Sequence, residues 1–163
     1  MGNPCHTCPH AVEFPIRTLH QESLQQLGLG DGNVEAGIRR LSELAAAATG
    51  PWPQVAVVTL GKDGAAAVLA EGAVLRAPAL PVAFVDTAAA GDSYVGCFLA
   101  AWLNGCGAEE SIRLSCVAGS LQVTRFGAQE VRPHAATLRR LAGLAPRPAA
   151  PQAPASQPTK VPA

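Results

Sequence analysis

The stretch "VDTAAAGDSYVGCFLAAWLNG", residues 85–105, decides how this chain is read. Two aspartates, Asp86 and Asp92, bracket a run of residues with almost no side chains, and an apolar stretch with helical spacing follows at once. Small residues from Ala88 to Gly91 let backbone N–H groups approach a ligand closely. A helix opening at Asp92 adds its unpaired N-terminal donors and the positive end of its dipole. Donors of this kind beside a carboxylate are what phosphoryl transfer needs: they hold charge on the transferred group while the carboxylate takes the proton of the attacking hydroxyl. Asp92, at the helix mouth, is the candidate base, and Asp86 is left to hold a cation or the turn itself. A purely structural reading stands beside this one, with Asp92 as a helix N-cap and Asp86 as an Asx-turn residue. Spacing alone does not choose between them.

On either side of this stretch the pattern is that of a layered α/β chain. "VEAGIRRLSELAAAA", residues 34–48, sets Val34, Ile38, Leu41, Leu44 and Ala45 on one helical face and ends at "TGPWP". "QVAVVTLG", residues 54–61, is a short β-branched run ended by glycine, as in a strand buried on both faces. "GAAAVLAEGAVLRAPAL", residues 64–80, reads as two strands turning at Glu71 and Gly72. Helices are expected from Asp92 to Asn104, from Glu109 to about Thr124 and from His134 to Ala142. Phe98, Leu99 and Trp102 then fall on the core side, whereas Arg139 and Arg140 fall on a solvated face. The expected organisation is a loosely structured leader over 1–32, one α/β domain over 33–142, and a Pro/Ala-rich disordered tail over 143–163.

Composition narrows the function classes. With 163 residues, 48% of them hydrophobic, the chain can build one packed domain. Twelve basic residues against 12 acidic ones remove the electrostatic footprint of a nucleic-acid binder. The apolar run from Val95 to Leu103 is about half of what a bilayer crossing needs, and residues 1–20 lack the pattern of a signal peptide. An odd count of five cysteines, with Cys97, Cys106 and Cys116 inside expected elements, argues against a disulfide scaffold and for a reducing, cytoplasmic setting. "CHTCPH" brings Cys5, His6, Cys8 and His10 together, half of a zinc site with no second half in view.

Three stretches together resemble the ribokinase-like (PfkB) carbohydrate kinases. "DTAAAGD", followed by Ser93, Tyr94 and Gly96, matches that family's D-T-x-[GA]-A-G-D signature. "VVTLGKDGAAAV" resembles its nucleotide-binding strand and T-L-G-x-x-G turn, and "SIRLSCVAGSLQVTRFGAQEVRP" resembles its following helix and loop. The resemblance implies a ribokinase-like three-layer α/β/α (Rossmann-like) fold, of which this chain is the C-terminal half, with a parallel-rich sheet. It further implies transfer of the γ-phosphate of ATP to a hydroxyl of ribose or a similar sugar, with Mg²⁺ bridging phosphates. Position by position, Asp92 would be the base, Ala89, Ala90 and Gly91 the anion hole, and Thr59, Leu60, Gly61, Gly64 and Cys116 the nucleotide site. Asp86, with the carbonyls of Ala88, Gln122, Arg125 and Gly127, would match a potassium site.

There are departures. Cys116 stands where the family often has His or Asn beside adenine, and Val131 where a Ser potassium ligand is common. The N-x-x-E element is degraded, with Asn33 and Glu35 at the wrong spacing, and the sugar-gripping first half is not found. A missing N-terminal half or a homodimer is the expected partner besides ATP and a small sugar. The alternative function is a non-catalytic nucleotide-binding or interaction module derived from such a kinase.

Overall fold

The computed structural model describes residues 16–29, 33–49 and 52–147. Four strands form one sheet: β1 (Ile16–His20), β2 (Val55–Thr59), β3 (Ala65–Leu69) and β4 (Val74–Ala77), in that spatial order. β1 pairs parallel with β2 in the register Ile16 to Val55, whereas β2–β3 and β3–β4 are antiparallel. The sheet is therefore mixed, with one parallel pairing of three, and not parallel-rich as the resemblance implied.

Helices cover both faces. α1 (Gln21–Gln26) and α2 (Val34–Ala47) lie on one side; α3 (Ala90–Leu103) and α4 (Ala108–Gln122) lie on the other, with α5 (Ala135–Leu141) beyond them. The period-2 alternation of a strand sorts β2 between two cores. Ala56 and Val58 join Leu24, Ile38, Leu41, Ala45 and Val68, whereas Val55 and Val57 join Tyr94, Phe98, Ile112 and Cys116. β2 is thus buried on both faces, as its unbroken apolar run required. A three-layer α/β/α arrangement follows from this sorting.

Several boundaries and roles differ from the sequence reading. Residues 16–26, within the expected leader, form β1 and α1. α3 starts at Ala90, two residues before Asp92, and its N-cap is Ala89 in the left-handed region at φ 58°. Phe98 is fully buried and Trp102 packs against the same core, but Leu99 faces solvent. Arg139 does not sit on a free face: it pairs with Glu110, and its Nε donates to the Ala145 carbonyl at 2.6 Å. Cys5, His6, Cys8 and His10 lie outside the described residues, as does most of the expected tail.

Candidate functional site

Where the ends of β1 and β2 meet the N-terminus of α3, a cleft of about 710 Å³ opens. Its size lies in the range of small-molecule sites, about 300–1,000 Å³. It is lined by Thr59, Gly61, Lys62 and Gly64 of the β2 end and its turn, and by residues of the 79–84 segment with Cys116, Gly119, Ser120 and Val123. The floor is Ala90 and Gly91 of α3, with His20, Gln21 and Glu22 at the rim. Of the expected nucleotide residues, Thr59, Gly61, Gly64, Gly91 and Cys116 line this cleft, whereas Leu60 turns into the core around α2.

Glycine is needed here for three different reasons. Gly64 has φ +94°, and a Cβ there would lie 2.7 Å from both the Ala79 nitrogen and the Pro78 carbonyl carbon. It lets the β2–β3 turn press against the chain leaving β4. Gly61 has φ +58° but open space around it, so only its backbone conformation calls for glycine. At Gly91 a Cβ would come 3.0 Å from His20 Cε1, so the missing side chain keeps a gap between the α3 mouth and the imidazole.

The α3 mouth carries free donors. The Ala90 N–H donates to the Thr87 carbonyl at 3.2 Å and the Ser93 N–H to Ala89 at 2.9 Å. Among the described residues the N–H groups of Ala89, Gly91 and Asp92 have no acceptor, as helix geometry dictates for a first turn. Of the three residues expected as an anion hole, Ala89 and Gly91 keep free N–H groups, whereas the Ala90 N–H is bonded to Thr87; the Asp92 N–H is free as well. The Asp92 side chain is exposed at the third position of α3 and lies outside the cleft lining.

Asp86 is an Asx-turn residue. One carboxylate oxygen accepts the Ala88 N–H at 3.0 Å, and the other accepts the Gly127 N–H at 2.9 Å. These bonds, Gly127 first, hold its pKa below the usual carboxylate value. Gln122, the last residue of α4, is 1% exposed and turns its side-chain amide to the same two residues. Its Nε2 donates to the carbonyls of Gly127 at 2.8 Å and Ala88 at 3.3 Å, and its Oε1 accepts from the Ser93 hydroxyl at 3.4 Å. The expected potassium ligands Asp86, Ala88 and Gly127 are thus brought together, and the Gln122 side-chain amide stands between the two carbonyls. Arg125 is exposed in the loop between Gln122 and Gly127.

Other expectations need correction. Cys116 lines the cleft, yet its S–H donates to the Ala77 carbonyl at 3.5 Å, and burial pushes the thiol up to about 12. It stays a neutral thiol committed to β4 and has no donor left for a base. Asn33 caps α2 by accepting the Glu35 and Ala36 N–H groups, and Glu35 pairs with Arg76, so neither reaches the cleft. The acidic residue at the rim is Glu22, whose pKa is lowered by its own backbone N–H and then by Gln21. His20 was not legible in the sequence; its Nδ1 bonds Thr59 Oγ1 at 2.8 Å, fixing the ring beside Gly91. Among the described residues no three His, Cys, Asp or Glu side chains cluster as a metal site, and no helix is long and apolar enough to cross a membrane.

Comparison with known proteins agrees with this architecture. A sequence model described as pfkB family carbohydrate kinase matches residues 26–135. Adenosine kinase 1 of Arabidopsis thaliana is 36% identical over 83 residues, which cover 49% of this chain and 24% of that protein. Ribokinase of Lactococcus lactis subsp. lactis (strain IL1403) is 38% identical over 74 residues, covering 45% of this chain and 24% of the relative. The chain therefore spans about a quarter of the length of these relatives. The structure of Arabidopsis thaliana ribokinase complexed with ribose and ATP superposes at a TM-score of 0.67, with 24% identity, over 80% of this chain and 41% of that one. With a family match over most of the chain, the same fold and the DTAAAGD turn at a helix mouth, the chain belongs to the pfkB family of carbohydrate kinases.

Proposed function

We propose that this chain supplies the nucleotide side of a sugar kinase, binding ATP in the cleft and transferring its γ-phosphate to a hydroxyl of ribose or a similar sugar. The observation that carries this reading is the α3 mouth, where free N–H groups of Ala89, Gly91 and Asp92 stand beside the exposed Asp92 carboxylate. Gly91, bare of a side chain, leaves the phosphate end room next to His20, and the apolar 80–84 segment, held to α4 at Ser120, gives the cleft an apolar wall that suits a base. The ATP held by the ribokinase of similar fold supports the same ligand here.

In this mechanism the first-turn donors of α3 hold the charge on the transferred phosphoryl group. Asp92 accepts the proton of the sugar hydroxyl while that oxygen bonds to phosphorus and the β–γ bridging oxygen leaves with ADP. Glu22, the carboxylate among the cleft-lining residues, would hold the Mg²⁺ that comes with the nucleotide, since Mg²⁺ takes most of its ligands from phosphates and water. Mg²⁺ supplies charge neutralisation on the phosphates. The sugar must be gripped by a surface beyond these residues, either a further stretch of polypeptide or a second copy. Phe84, Val85 and Phe126, exposed near the Asp86 turn, are the apolar area it would cover. The free thiols of Cys97, Cys106 and Cys116 support a cytoplasmic setting.

The test is ATP binding by calorimetry alongside phosphate transfer to ribose, for the native chain and Asp92→Asn. The kinase reading expects both to bind ATP and only the native chain to transfer phosphate. Binding without transfer in the native chain would instead mark a non-catalytic nucleotide-binding or interaction module.

A further inference from the structure

We propose that the Gln122 side chain does in this chain what a monovalent cation would do, tying the turn before α3 to the loop after α4 so that neither depends on potassium for its order. Four hydrogen bonds close a ring. The Asp86 carboxylate accepts the N–H groups of Ala88 and Gly127, and the Gln122 amide donates to the carbonyls of the same two residues. Each of those residues is therefore held at both its donor and its acceptor.

Chemistry fixes which way the amide faces. Two carbonyl oxygens meet one end of it, and only the NH₂ end has two protons to give; the reverse would set acceptor against acceptor. The remaining oxygen takes the Ser93 hydroxyl, which links the ring to the first turn of α3. Both amide protons are committed to the two carbonyls and the residue is 1% exposed, so a cation between those carbonyls would have to displace the NH₂ end. Expulsion would leave a buried amide without partners, which is the unfavourable outcome for any buried polar group. Gln122 is a positioning residue: it fixes the backbone of Ala88 and thereby the direction of the Ala89 and Gly91 N–H groups. The proposal concerns the order of this turn and stands whether or not the chain transfers phosphate.

The experiment compares native chain and Gln122→Ala in KCl and NaCl at equal ionic strength, by thermal melting and by the NMR resonances of the Gln122 side-chain amide. For the native chain the two melting curves should coincide and the amide resonances should not move between salts. Exchange of those amide protons should be about tenfold slower than for an exposed Gln, the factor expected of one net hydrogen bond. Gln122→Ala should melt lower in NaCl and recover part of the loss in KCl, because the two carbonyls are now open to a cation. Gln122→Met fills the volume without donors; if the Ala variant does not fold in either salt, this variant must carry the potassium response. A potassium-specific rise in the native melting temperature, a shift of the native Gln122 resonances in KCl, or variants blind to the choice of cation would each overturn the proposal.

Discussion

Replacing Gly64 and Gly61 by alanine, one at a time, separates backbone strain from steric overlap. Both glycines have positive φ, +94° and +58°, so both variants bear a strain cost of about 1–3 kcal/mol, the greater at Gly64, whose ψ of −125° lies outside the left-handed well. Both also gain the same reduction in unfolded-chain entropy, about 0.4–1 kcal/mol, which cancels in the comparison. They differ further in what the new Cβ meets. At Gly61 there is nothing within 4 Å, whereas at Gly64 backbone atoms of Ala79 and Pro78 lie at 2.7 Å. Those atoms belong to the chain leaving β4, whose last residue, Ala77, is paired in register with Ala65, so they cannot retreat without breaking the ladder. Overpacking of this kind adds about 1–3 kcal/mol. At about 3 °C per kcal/mol for a chain of this size, Gly64→Ala should melt about 3–9 °C below Gly61→Ala, measured by circular dichroism. Equal melting temperatures would refute the claim that close approach, and not φ alone, selects glycine at position 64.

Two other perturbations have defined outcomes. The Ser120 hydroxyl accepts the Leu80 N–H at 2.9 Å and donates to the Cys116 carbonyl, so Ser120→Ala should cost about 1–2 kcal/mol in urea unfolding and speed amide exchange at Leu80; unchanged exchange there would count against the contact. Cys116 should resist iodoacetamide at pH 8 in the folded chain and react once it is unfolded, as read by mass spectrometry. Because its folded pKa of about 12 lies above the ordinary value of 9.0, the folded state holds the proton longer. Its contribution to stability is complete below pH 9 and is lost as pH rises towards 12, and a flat alkaline profile would contradict this.

How much of this was legible depended on whether the deciding contacts were local. The turn from Asp86 to Asp92 announced itself because its small residues and the apolar run after it sit side by side in sequence. β2 and the β3–β4 hairpin were equally plain, since a strand buried on both faces leaves an unbroken apolar run. β1 was missed because it is an edge strand with Arg17 and His20 in it, half open to solvent, and its partner Val55 lies far along the chain. His20 entered the site through that same non-local pairing. Gln122 reads as an ordinary polar helix residue until Ala88 and Gly127 are seen around its amide.

The measurement closest to the central claim is a titration of the isotope-labelled chain with MgATP, followed through its backbone amide resonances. Ala89, Gly91 and Asp92 should shift together with Thr59 to Gly64 and the 80–84 segment, and Gly91→Ala, which would press a methyl group against His20, should abolish the response. Shifts confined to other surfaces, or an undiminished response in Gly91→Ala, would contradict it.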